Sequence, residues 1–122
     1  METVIIVCLA GSALIHLLPL VGAFGPAHVA RMYDVKVEGP DLTVLLVHRA
    51  VLFGLLGAAL IAAIFCGEAR PYVIGAVLVS DVAFLAIAGS NPGINDSMKR
   101  VVRADVISIV LLVVAGVSEL VR

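Results

Sequence analysis

The sequence predicts an all-α integral membrane protein, a four-helix transmembrane bundle forming a single domain over residues 1–122. Three observations predict it. Hydrophobic residues make up 62% of the chain and charged residues only 14%, with a mean hydropathy of +1.20; a soluble chain this short buries only about 60–70% of its surface, too little to hide so much apolar area. The apolar residues also gather into four segments, residues 3–24, 42–66, 71–90 and 101–121, each close to the roughly 20 residues that cross a ~30 Å hydrocarbon layer. Finally, every backbone group in lipid needs an internal partner, so segments of this length are helices even where Val and Ile would favour strands.

The first segment opens with Glu2 rather than a basic flank and runs longer than the apolar stretch of a cleaved signal peptide, so it reads as a span. Gly22, Gly25 and Pro26 end it. The following "PAHVARMYDV" reads as a short interfacial helix anchored by Met32 and Tyr33. Pro40-Asp41 supplies a break and an N-cap for the second span. "CGEAR" makes a tight turn, so the second and third spans are antiparallel neighbours. "GSNPGINDS" turns at Asn91-Pro92-Gly93, with Asn95 or Asp96 capping the fourth span. Cys8 and Cys66 approach the same membrane face, where a disulfide is one alternative, but there is no C-x-x-C motif and they read as free, buried thiols.

The net charge is −1, with no basic run and no interleaving of aromatic and basic residues, which argues against a nucleic-acid partner. Arg31, Lys36, Arg49, Lys99, Arg100 and Arg103 fall on the side of the first and third connections, whereas Arg70 and Arg122 fall on the other. The positive-inside rule then places those connections in the cytoplasm and both termini outside, in an inner (cytoplasmic) membrane.

Among the ionisable residues within these apolar spans, where such groups are costly and face a bundle interior or a cavity, five stand out. His16 lies in the second half of the first span, and His48 and Arg49 lie near the start of the second. Asp81 is near the middle of the third, and Asp105 is about one turn into the fourth. All five fall in the same half of the bilayer. Ser12 and His16 share one helix face, as do Asp105, Ser108, Leu112, Gly116 and Glu119 on the fourth span. On the second span, His48 leads a stripe through Leu52, Leu55 and Ala59, while Gly54, Ala58 and Ala62 have small-xxx-small spacing and read as a close helix contact. Adjacent helical residues point about 100° apart. As a site residue Arg49 would hold an anionic group; if instead it snorkels to the rim, His48 is left facing inward, with His16 or Asp105 as its partner. Each residue also has a structural alternative, as a hydrogen-bonded core group or helix-to-helix link.

The stretches "ARMYDV", "LLVHRAVLFGLLG", "LVSDVAFLAIAGS" and "VVRADVISIV" resemble a family of small four-span bacterial membrane proteins. That resemblance implies the four-span fold and no particular activity. In span number and in a histidine opening the second span, the chain is more loosely similar to styrene oxide isomerase. That likeness implies an oligomeric membrane enzyme with a histidine-held haem acting as a Lewis acid, and His48 is the matching position.

Three functions fit these residues. In the first, an intramembrane site binds a small lipophilic molecule or cofactor of haem or quinone type, as in a membrane-embedded isomerase or redox enzyme. His48, Arg49, Asp81 and Asp105 are its candidate catalytic residues, and His16 and His48 its candidate cofactor ligands. No residue set reads as a dedicated metal site. The second is a proton-coupled small-molecule carrier using Asp81 and Asp105. The third is a non-catalytic assembly subunit. In each, the bilayer is the solvent and a homo-oligomer is expected, because four short helices enclose little volume.

Overall fold

The computed structural model describes residues 1–121, so Arg122, counted above among the charges, lies outside the described residues. Helix α1 (Glu2–Leu17) passes directly into a 3-10 segment (Leu18–Phe24), and together they form the first span. The winding tightens where Pro19 removes a backbone donor. The short helix expected in the first connection is α2 (Pro26–Tyr33). It is bounded by two left-handed backbone positions, Gly25 at φ +140° and Asp34 at φ +53°. The other three spans are α3 (Pro40–Phe65), α4 (Arg70–Gly89) and α5 (Asp96–Val121). Among the described residues there is no strand.

The helix starts follow local chemistry. Gly39, at φ +83°, is the N-cap of α3, and Pro40 takes the first helical position, where a missing N–H costs nothing. Asp41 therefore sits within the first turn and is not the cap. Asn95 does cap α5: its Oδ1 accepts the Met98 N–H at 2.8 Å. Its Nδ2 also donates to the carbonyls of Tyr33 and Asp34, each at 2.9 Å, which ties the start of α5 to the end of α2.

Helix α1 packs on α3 and α5, and α4 packs on α5 and more sparsely on α3. The order around the bundle is thus α1, α3, α4, α5, with α1 and α4 on a diagonal. The half of the bundle containing the N-terminus holds the apolar core, including Ile5, Leu9, Leu60, Val77 and Leu112. Buried Cys8 joins that core as a small apolar group, whereas Cys66 is exposed; both thiols are free. Arg70 closes this end. It donates to the Ala63 and Ile64 carbonyls at 2.8 and 2.7 Å, satisfying acceptors that the end of α3 leaves open. It also pairs with Glu2 at 2.8 Å and with Glu119 at 3.8 Å.

Outside, the helices present large apolar side chains such as Val7, Leu14, Leu45, Leu55 and Val79. With four helices long and apolar enough to cross a bilayer, the chain is a multi-pass membrane protein whose outer surface meets lipid. The packing face of α3 differs from the stripe expected. Ala50, Gly54, Gly57, Leu60 and Ala63 are buried, while Ala58 and Ala62 are exposed. A Cβ added at Gly54 would lie 2.5 Å from Leu20, and one at Gly57 would lie 2.7 Å from Leu17. Close approach of the first span selects these two glycines, and the contact steps along 50, 54, 57 instead of 54, 58, 62.

Candidate functional site

The half of the bundle beyond the apolar core is built around polar groups. Ser12 and His16 share the inner face of α1, one helical turn apart. Their diagonal partner is Asp81, 1% exposed at the middle of α4, and Ser108 faces both from α5. His16 Nδ1 lies 2.8 Å from the Ser12 carbonyl oxygen, which can only accept, so Nδ1 carries a proton. His16 Nε2 lies 2.8 Å from Asp81 Oδ1. Only one proton fits between two such atoms, and imidazole and carboxylate share it. The Ser108 hydroxyl donates to Asp81 Oδ2 at 2.7 Å, which leaves its lone pairs to accept the Ser12 hydroxyl at 2.8 Å. The bonds close a ring from Ser12 through Ser108, Asp81 and His16 back to Ser12, crossing three helices.

Asp105 lies one turn before Ser108 on α5, on the same buried face. It is 4% exposed, and its Oδ2 has no hydrogen-bond partner. Asp81, His16 and Arg49 are all close enough to interact with it electrostatically. Asp105 and His16 line a cavity of about 250 Å³ whose remaining wall is mostly apolar, including Ile15, Leu18, Met32, Phe53 and Val101. Tyr33 and Arg100 add polar groups where α2 covers it.

Arg49 does not take the snorkelling alternative. Instead of reaching for the rim, its guanidinium turns into the bundle and stacks among three rings. The distances to the ring centroids are 4.8 Å for Phe53, 5.2 Å for Phe84 and 5.4 Å for Tyr33. Cation–π contact of this kind strengthens as water is excluded. Burial pushes the Tyr33 phenol above its ordinary pKa, while the Arg49 charge works in the opposite direction. Tyr33 is thus a buried wall of the site and not an interfacial anchor.

His48, one residue earlier, is rotated away and is exposed on the outer face of α3, together with Leu52 and Leu55. The structure therefore brings together His16, Arg49, Asp81 and Asp105 but leaves His48 outside that group. The physical reason is the tight contact of the first span with α3 at Gly54 and Gly57, which fixes the rotation of α3 and points position 49 inward. Phe53, four residues after Arg49, carried a signal for this arrangement: i, i+4 spacing puts an aromatic ring and a cation on one helix face. Phe84 and Tyr33 come from other elements, and no spacing within α3 announces them.

The interior groups do not fit a haem. Both ring nitrogens of His16 are engaged, so neither is available to iron, and His48 faces away from the cavity. Among the described residues, no three His, Cys, Asp or Glu side chains gather as a ligand set for a metal ion. Fold and site together define a multi-pass membrane protein with a buried, proton-sharing polar centre. No family model, curated protein or solved structure matches the chain.

Proposed function

We propose that the protein is a membrane-embedded binding site with acid–base capability for a small lipophilic molecule bearing a hydroxyl or similar donor, of the quinol or phenol class. One observation carries this reading: the unpartnered, buried Asp105 carboxylate beside the shared-proton His16–Asp81 pair, in the wall of an otherwise apolar cavity. A buried polar atom without a partner costs about 1–3 kcal/mol, and a ligand donor removes that cost. Met32 and Phe53 suit a flat ring, since thioether and aromatic groups both pack favourably against one. Asp105 accepts the ligand's hydroxyl, and a proton moves between that oxygen, Asp105 and the pair behind it. A padding or assembly role accounts for the closed serine–histidine–aspartate ring but gives Asp105 Oδ2 nothing to do.

The test is equilibrium binding of a decyl-substituted hydroquinone and its dimethyl ether to the detergent-purified protein. Asp105→Asn is expected to weaken the hydroquinone by roughly 10- to 100-fold, the worth of a hydrogen bond to a charged group. The ether should bind weakly to both proteins. Equal binding of the two compounds to the native chain would remove the donor–Asp105 contact from the reading.

A proton-coupled carrier is the second reading. One feature favours it: the cavity lies in the half of the bundle that carries α2, while the Arg70 cluster and apolar core seal the other half, an arrangement open on one side only. Uptake of a labelled phenol into proteoliposomes along a pH gradient separates carrier from binding site.

The orientation follows from the charge bias. The Arg31, Lys36 and Lys99–Arg103 side faces the cytoplasm, and the termini face outward. In intact cells, an impermeant maleimide should label the exposed native Cys66 and spare a cysteine placed at Lys36. Labelling at position 36 but not at Cys66 would invert this topology.

A further inference from the structure

A second cavity, of about 270 Å³, lies on the far side of Phe53, in the groove where α3 and α4 touch most sparsely. Leu52 and Leu56 from α3 face Ala83, Phe84 and Ile87 from α4 across it, and Arg49 lines it with them. Leu52 and Ile87 are exposed, so the groove opens towards lipid. Arg49 Nη2 is buried and has no hydrogen-bond partner, and among the described residues no carboxylate forms an ion pair with Arg49. Asp105 acts on it only through space. Position 49 lies about 13 Å along α3 from Pro40, at 1.5 Å rise per residue, and the aromatic cage holds the guanidinium at that depth.

We propose that this groove binds the anion of a long-chain carboxylic acid, its carboxylate on Arg49 and its alkyl chain along Leu52, Leu56, Ala83 and Ile87. Charge complementarity selects an anion, and the planar guanidinium fork matches a carboxylate better than any point charge would. The apolar walls select an alkyl tail. Depth selects a slim single-chain acid over a phospholipid, whose bulky phosphodiester head and two chains hold it at the interface. This site is separate from the His16 cavity, with Phe53 as the shared partition: its ring is 5.9 Å from His16 and 4.8 Å from the Arg49 guanidinium.

Native mass spectrometry of the full chain in non-ionic detergent, titrated with dodecanoate, methyl dodecanoate or a phosphatidylglycerol, tests the assignment. Dodecanoate should form a one-to-one adduct at concentrations at least tenfold below those needed for the methyl ester. Arg49→Gln should abolish the preference and Arg49→Lys should reduce it by about tenfold. Ala83→Phe, which fills the groove and keeps the cation, should also lose the adduct, so the proposal remains testable if Arg49 variants fold poorly. Asp105→Asn should tighten dodecanoate by removing a neighbouring negative charge, opposite to its effect on the hydroquinone, so the two sites can fail independently. Equal binding of acid and ester, or phosphatidylglycerol adducts without dodecanoate adducts, would overturn the proposal. Ala104 lines the His16 cavity, so loss of the adduct in Ala104→Phe but not in Ala83→Phe would move the carboxylate there and overturn it as well.

Discussion

Asp81→Leu is expected to destabilise the bundle by about 3 kcal/mol, whereas Asp81→Asn should melt within about 1 kcal/mol of the native chain. The carboxylate holds His16 from α1 and Ser108 from α5 at 2.8 and 2.7 Å, so α4 is joined to the bundle through it. Leucine leaves the Nε2 lone pair and the Ser108 hydroxyl facing hydrocarbon. The loss is set at the low end for breaking a buried pair, because helices separated in a membrane find other polar partners. Asparagine keeps the ring closed. Its Nδ2 donates to His16 Nε2, and its Oδ1 accepts from Ser108. What asparagine removes is the shared proton, since an amide neither gives one up nor takes one. Thermal melting in detergent, read beside hydroquinone binding, separates the roles. Asn should preserve the fold and alter proton-dependent chemistry, and Leu should lose both. Equal melting of the two variants would mean that the ring does not hold the helices together.

The spans were legible because a bilayer imposes a length and forbids open backbone, and both constraints act on local sequence. The four predicted segments overlap the four observed spans and differ from them only at their ends. The α5 start at Asp96 precedes the apolar run because Asn95 caps it, and hydropathy does not register caps. The inner stripe of α5 was legible in its first part: Asp105, Ser108 and Leu112 are buried as their spacing implies, but Ala115 and Ser118 continue it in place of Gly116 and Glu119. The convergence of His16, Asp81 and Asp105 followed from depth, since charged groups at one level in lipid gain by facing one another. The rotation of α3 did not follow. In a helix apolar on all sides, periodicity carries no inward direction, and His48 and Arg49 offered two choices of equal sequence merit. The deciding contact, two glycines against Leu17 and Leu20, belongs to a pair of helices and not to either one. The Arg49 cage draws a ring from each of three elements and was illegible for the same reason.

That deciding contact makes the last expectation specific to single positions. Gly57→Leu should destabilise the fold by about 2–3 kcal/mol, near the upper range for overpacking, while Ala58→Leu, the adjacent residue, should leave the protomer's melting unchanged. A Cβ at position 57 meets Leu17 Cγ at 2.7 Å and the Ala13 carbonyl oxygen at 3.2 Å. The Leu17 side chain can rotate, but the carbonyl is backbone, so α1 itself must move away from α3. Ala13 and Leu17 each directly follow a member of the polar ring, Ser12 and His16. The displacement therefore reaches the 2.8 Å His16–Asp81 bond, and hydroquinone binding should fall even though position 57 lines neither cavity. Ala58 is exposed, and a leucine there exchanges one apolar surface for another against lipid or against a neighbouring copy. Any effect of Ala58→Leu should thus appear in the oligomer distribution, measured by cross-linking in native membranes, and not in the melting of the protomer. If Ala58→Leu lowered the melting temperature as much as Gly57→Leu, the close α1–α3 approach would not be what fixes the rotation of α3, and the inward placement of Arg49 would lose its cause.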